Sequence, residues 1–296
     1  MKKRANPGRL DVTRESYNGV VTTIDTGPRS DNRGILFAER MRRAVDFRRV
    51  AVAPPLTPVV EHCWLADWDL TEPIEQKVVA HPCVNLVWQN DHRPRAHGPS
   101  RTLTRRPLSG RGRVLGVQFR PGGFAGVAPG HTLVDTSISA AELFDGDDLA
   151  AATSVIDSEA SDEDRVAAVQ ELLERAMPSA VDDAVARTMA LAHRCRTDRS
   201  ILRVDDLATA GRVSARTAQR LFATHIGLSP KWVIRRYRAI EAIEHADGAV
   251  NWSALAARLG YADQAHLIRE FGAATGFSPT GYVARLDETA SFTRDR

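Results

Sequence analysis

The carboxy-terminal third of this sequence is written twice, and that repeat limits what the chain can fold into more than any other feature. Phe222 followed by Gly227-Leu228-Ser229-Pro230 recurs as Phe271 followed by Gly276-Phe277-Ser278-Pro279, each residue 49 positions further on. At the same offset Arg220 aligns with Arg269, and Ser214 aligns with Asp263, both of them residue types that cap helix N-termini well. Each copy therefore reads as a short helix, a tight turn and a capped second helix closed by glycine, with Ser-Pro opening the helix that follows.

Helix, turn and capped helix is the helix-turn-helix pattern, in which the second helix enters the DNA major groove. The first unit is expected over residues 205–211 and 214–225, and the second over residues 252–259 and 263–275. Leu221 and Phe222 in one copy, and Leu267 and Phe271 in the other, supply the buried sides. Facing away are Arg216, Gln219 and Arg220 in the first reading helix, and Gln264, His266 and Arg269 in the second. Arginine donates bidentately to guanine and glutamine to adenine, so these side chains suit base edges. Residues 230–247 are expected to form one linker helix with Lys231, Arg235, Arg236 and Arg238 on its more exposed positions. Lys231, Arg235 and Arg236, with the helix N-termini at Ser214 and Asp263, are the expected phosphate contacts. A rigid linker would hold the reading helices about 34 Å apart, the spacing of successive major-groove faces on one side of B-DNA.

Residues 214–222, 227–230, 255–267, 269–271 and 276–282 together resemble the DNA-binding domain of the AraC/XylS family of bacterial transcriptional regulators, over about a third of the chain. The resemblance implies two helix-turn-helix units joined by a linker helix, and sequence-specific binding of promoter DNA that activates or represses transcription. It places the base-reading positions on Arg216, Gln219 and Arg220, and on Gln264, Ala265, His266 and Arg269. It also implies RNA polymerase, a small-molecule effector and a second copy of the chain as partners. Two departures stand out: Gly211-Arg212 replaces the usual Leu-Gly before the first reading helix, and Ala218 replaces a usual core leucine. Both predict looser packing of the first unit.

The amino-terminal half has a different period. Trp64, Ala66, Trp68 and Leu70 alternate with Leu65, Asp67 and Asp69, Leu115, Val117 and Phe119 alternate with Gly116 and Gln118, and residues 83–88 read as a more buried strand. Short strands broken by Pro and Gly suggest a small antiparallel barrel-like domain, whose mouth could be lined by Trp64, Trp68 and Trp88 around an apolar effector. His62, Cys63, His81, Cys83, His92 and His97 carry metal-ligating atoms, but no pair has a tight ligand spacing, and adjacent His62 and Cys63 would point to opposite faces of a strand. A metal sensor or metal-dependent small-barrel enzyme fused to the DNA-binding module is the competing reading. No phosphate-binding loop, dinucleotide fingerprint, metalloprotease motif or nucleophile elbow occurs, so neither a catalytic residue nor a cofactor is expected.

Charge changes sign along the chain: residues 1–140 carry a net +8, residues 141–198 carry −9 and residues 199–285 carry +5. A basic segment without a metal or phosphate motif suits a polyanion. The organisation expected is a basic arm and short helix over residues 1–50, with residues 39–49 as that helix, then a β-rich sensor-type domain over 51–138. An acidic helical connector over 139–195, suited to dimerisation, leads to the DNA-binding domain over 196–286 and a tail over 287–296. The fold class is α+β and multidomain. No apolar stretch approaches a membrane span, the basic opening leads into Asn6-Pro7-Gly8 rather than an apolar signal segment, and three cysteines make no disulfide framework. These features predict a cytoplasmic protein without a membrane partner.

Overall fold

A computed structural model of the chain describes residues 34–89, 92–246 and 250–291, together with a strand pair, β1 (Ser16–Tyr17) and β2 (Val20–Val21). The rest of the expected arm, residue 247 at the expected end of the linker helix, and residues 292–296 of the tail lie outside the described residues.

Alternating apolar residues build a six-stranded antiparallel sheet from β3 (Asp46–Val50), β4 (Val60–Val78), β5 (Asn85–Gln89), β6 (His92–His97), β7 (Thr104–Phe119) and β8 (Ser137–Ser139). Its order is β3-β4-β7-β5-β6-β8, so the barrel-like domain takes the form of a sheet with β3 and β8 as its edges. Register sorts the side chains into two faces. Cys63, Leu65, Leu86, Trp88, Leu115 and Val117 occupy one, under helices α2 (Gly146–Asp157) and α3 (Asp162–Ala176), which contribute Leu149, Ile156, Val166, Val169 and Leu173. Trp64, Ala66, Trp68 and Val114 occupy the other, with Met41 and Val45 from α1 (Ala38–Ala44) and its end. The indoles lie flat on the neighbouring strand because glycine stands opposite them. A Cβ on Gly116 would come within 2.2 Å of Trp64, and one on Gly112 within 2.2 Å of Trp68.

One sequence expectation is corrected here. The basic helix over residues 39–49 stops at Ala44, and Asp46–Val50 is an edge strand instead, with Phe47 stacked on Trp64 at 6.1 Å. Residues 140–142 form a single tight turn, and Gly146 opens α2 because the Asp145 carboxylate accepts from the Asp147 and Asp148 N–H groups. Ser161 caps α3, its Oγ accepting from Asp164 N at 3.1 Å.

The carboxy-terminal half is all-helical: α4 (Asp183–Thr197), α5 (Val204–Ala210), α6 (Ala215–His225), α7 (Pro230–Glu244), α8 (Trp252–Arg258), α9 (Gln264–Thr275) and α10 (Pro279–Ser291). One apolar cluster runs through Leu207, Leu221 and Phe222, across Val233, Tyr237 and Ile240 of α7, to Leu255, Leu267 and Phe271. Leu191, Ala192 and Cys195 belong to it as well, so a boundary at residue 196 falls inside α4.

The two halves meet on buried charge. Glu61 on β4 accepts from Arg120 Nη1 at 2.6 Å and from Arg196 Nη1, on the last turn of α4, at 2.9 Å, with all three side chains at most 6% exposed. Removing the carboxylate would leave two guanidiniums buried against each other. Glu61→Ala is expected to lower the unfolding free energy by about 3 to 5 kcal/mol, seen as a fall in urea midpoint; an unchanged midpoint would refute that role. Beside it the buried His62 imidazole accepts from Arg49 Nε at 3.2 Å, and burial, reinforced by Arg49, lowers its pKa from 6.5 to about 3. His62 thus folds neutral and takes up a proton when it unfolds below pH 6.5, so stability is intact above that pH and falls as pH drops towards 3. His62→Gln is expected to flatten the acid limb of the stability profile, and parallel limbs in parent and variant would contradict this.

Candidate nucleic-acid interface

Each helix-turn-helix unit is assembled by short-range capping. In the first, Ser214 Oγ accepts from Thr217 N at 3.0 Å to open α6. The chain leaves α6 through Gly227, at φ 82, whose N–H bonds to Phe222 O at 2.9 Å. In the second, Asp263 Oδ1 accepts from His266 N at 2.6 Å to open α9, and Gly276 closes it at φ 76. Leu221, Phe222, Leu267 and Phe271 are all buried, and so is Ala218. Leu191 of α4 packs against Gly211, where an added Cβ would lie 2.2 Å from its Cδ2.

With those faces buried, the sequence-expected reading residues are turned outward. Arg216, Gln219 and Arg220 on α6 are exposed, as are Gln264, Ala265 and Arg269 on α9. His266 is half-buried, edge-on to the Tyr261 ring at 5.3 Å and 3.9 Å from Glu270, so it is more engaged internally than the others. Sequence reading missed Ile268. At 38% exposure it is, with Leu202, one of two exposed large apolar residues among the described residues, and it lies on α9 one turn beyond Gln264 and Ala265 and next to Arg269. Its spacing from Gln264 was the available signal, since an apolar residue in line with polar reading positions suits a thymine methyl.

The expected phosphate contacts divide. Ser214 and Lys231 are exposed. Arg235 donates from Nε and Nη2 to the two carboxylate oxygens of Glu270, tying α7 to α9, with Nε to Oε2 at 2.7 Å. Asp263 spends its carboxylate on the cap and carries the same sign of charge as a phosphate, so only its helix N-terminus is favourable there. Arg236 is a correction: it is 6% exposed, its guanidinium lies 4.4 Å from the Trp232 ring centroid, and Nη2 donates to Arg101 O at 2.8 Å. Burial lowers its pKa to about 10. The i+3 and i+4 spacing that put it beside Trp232 and Val233 also turned it towards the amino-terminal half. Arg238 is likewise drawn inward, donating to Gly260 O at 3.3 Å and to Leu202 O.

In the amino-terminal half the three tryptophans do not converge on one mouth. Trp64 and Trp68 share a face, whereas Trp88 lies on the other and donates to Thr153 of α2 at 3.0 Å. Two of them, Trp68 and Trp88, nevertheless line one groove of about 630 Å³, together with Asp67, Arg111, Arg113 and Asp157 among others, whereas Trp64 does not reach it. Burial pushes the Asp67 carboxyl up, but hydrogen bonds from Arg48 and Arg113 outweigh it and hold the group below its ordinary range. The candidate metal ligands are not gathered: among the described residues no group of three or more His, Cys, Asp or Glu side chains could hold an ion. Burial pushes the Cys63 and Cys83 thiols up to about 12, which keeps them protonated. No helix among the described residues is long and apolar enough to cross a membrane.

Residues 207–285, which span both units and the linker, match the family described as a helix-turn-helix domain. The carboxy-terminal region is an AraC-type helix-turn-helix domain. Residues 48–139 match a domain of unknown function (DUF6597), and no curated protein matches the chain. Among solved structures, the xylose-binding transcription activator xylR is 16% identical over 36% of this chain and 27% of its own, with a TM-score of 0.28. The chain thus spans about a quarter of that activator's length. ToxT from Vibrio cholerae is 10% identical over 81% of this chain and 97% of its own, with a TM-score of 0.38. A second ToxT structure, from Vibrio cholerae O395, is 11% identical over 82% and 98%, with a TM-score of 0.39.

On the AraC-type domain, Arg220→Ala and Arg269→Ala are each expected to cost about 1 to 3 kcal/mol against a duplex selected from random sequence, and to relax preference at one base position. Titration of single-base variants of that duplex reads the effect. Equal weakening on every sequence would assign these side chains to phosphates instead.

Proposed function

We propose that this chain is a sequence-specific transcriptional regulator that binds promoter DNA through both helix-turn-helix units. The observation that carries the reading is the outward display of Arg216, Gln219 and Arg220 on one capped helix and Gln264, Ala265 and Arg269 on its repeat, within a single apolar core. Ile268 adds an apolar contact suited to a thymine methyl. Lys231 and the Ser214 helix end supply phosphate contacts.

Residues 51–138 serve as the regulatory part, and the groove bounded by Trp68, Trp88, Arg113 and Asp157 supports placing a small effector there, between two of the three tryptophans and a charged rim. The acidic helices α2 and α3 offer a surface for a second copy or for RNA polymerase. The DNA-binding unit then begins with α4 rather than at residue 196, because α4 shares its core.

The experiment is genome-wide mapping of sites bound by the full chain in its native host, with Arg220→Ala/Arg269→Ala as the comparison. Discrete promoter-proximal sites that share a motif and vanish in the double variant are expected. Uniform, motif-free occupancy in the parent would overturn the reading.

A further inference from the structure

The turn inside each helix-turn-helix unit has one hydrogen-bonded form but different residues at its critical position. After α5 the Val213 N–H donates to Ala208 O at 3.0 Å, and the residue before it, Arg212, adopts φ 51. After α8 the Tyr261 N–H donates to Ala256 O at 2.9 Å, and the residue before it, Gly260, adopts φ 69. Arg212 and Gly260 are therefore equivalent positions. Left-handed backbone at the end of a helix favours glycine, because a Cβ there crowds the following carbonyl. At three of the four positive-φ helix ends described in this domain, Gly227, Gly260 and Gly276, the residue is glycine; only Arg212 is not. The neighbouring Gly211 is explained by packing, since Leu191 leaves no room for a side chain there. Nothing in the packing calls for arginine at 212.

The Arg212 side chain is exposed and makes no ion pair or side-chain hydrogen bond among the described residues. It stands two residues before Ser214, at the entry to the helix that displays Arg216 and Arg220. In helix-turn-helix docking the first helix crosses the sugar-phosphate backbone while the second enters the groove, and Arg212 lies at the junction of the two. A cation there meets phosphate whatever the base sequence. The second unit presents no side chain at Gly260 and a carboxylate at its cap, Asp263.

We infer that Arg212 is a phosphate-anchoring residue of the first unit, present as arginine despite a backbone position that favours glycine. Its ligand is the duplex DNA backbone at the edge of the major groove. The inference rests on the DNA-binding reading above and names the residue that clamps the first reading helix.

The test uses the full chain and the variants Arg212→Gly, Arg212→Gln and Arg212→Lys, each titrated with a selected duplex and an unrelated one over a range of salt. Arg212→Gly and Arg212→Gln are expected to weaken both duplexes by the same factor, about five- to tenfold near 0.1 M salt, and to reduce the log-log salt slope by about 0.9. Arg212→Lys keeps the slope. The thermal midpoint of Arg212→Gly is expected to match or exceed the parent's while its DNA binding falls, a combination that a merely structural role would not produce. Parent-like binding and slope in both the Gly and Gln variants would overturn the inference. So would weakening confined to the selected duplex, which would make Arg212 a base reader, or an Arg212→Gly midpoint below that of Arg212→Gln. A parent that binds no duplex would instead sink the DNA-binding reading itself, a different result from a binding parent with indifferent variants.

Discussion

Burial of α7 along nearly its whole length is the constraint on which the carboxy-terminal half depends. Val233, Ile234, Tyr237, Ala239, Ile240, Ala242 and Ile243 are all buried, so apolar side chains leave the helix in several directions rather than along one stripe. Helices of seven residues such as α5 and α8 cannot hold themselves together in water. Each is stable through its reading helix: α5 packs on α6, which closes onto α4 and α7, and α8 packs on α9, which closes onto α7. The linker is therefore the shared core of the domain. Arg235, bonded to Glu270, adds a charged tie on the outer side of that core.

The amino-terminal half is docked on the carboxyl ends of both reading helices. Residues 130–134 pack against the His225 to Gly227 turn, where a Cβ on Gly130 would come within 2.2 Å of His225 O. Phe37 lies 5.5 Å from the Phe277 ring and 4.9 Å from the Tyr282 ring, beyond the end of α9. Arg236 reaches from α7 to the carbonyls of Ser100 and Arg101. The sheet domain thus touches both units through packed contacts.

Much of this was legible in the sequence because the repeat carries local chemistry: caps at Ser214 and Asp263, closing glycines at 227 and 276, and buried phenylalanines at 222 and 271 all obey short-range rules. The exposed residues of α6 and α9 followed by subtraction, being what the apolar face left over. Arg236 was misplaced because helical periodicity reports which side of α7 a residue occupies but not that a second domain covers that side. The tryptophans misled for a related reason. Alternation places Trp64 and Trp68 on one face, but only strand register, set by β5 pairing with β7 so that Trp88 faces Leu115, shows that Trp88 lies on the other. Asp46–Val50 was hidden because a short edge strand with two arginines has the composition of a basic helix, and only its pairing with β4 distinguishes them.

The two reading helices, though copies by descent of pattern, are not alike in their ends. One opens on a hydroxyl cap and carries Arg216 and Arg220, whereas the other opens on a carboxylate cap and offers Gln264, Ala265, Ile268 and a single arginine, Arg269. A body with a cationic prow and a near-neutral stern cannot lie equally well both ways round on an asymmetric stretch of duplex. Each bound molecule then acts as an arrow, and the direction in which it points decides which flank of the site its acidic helices overlook.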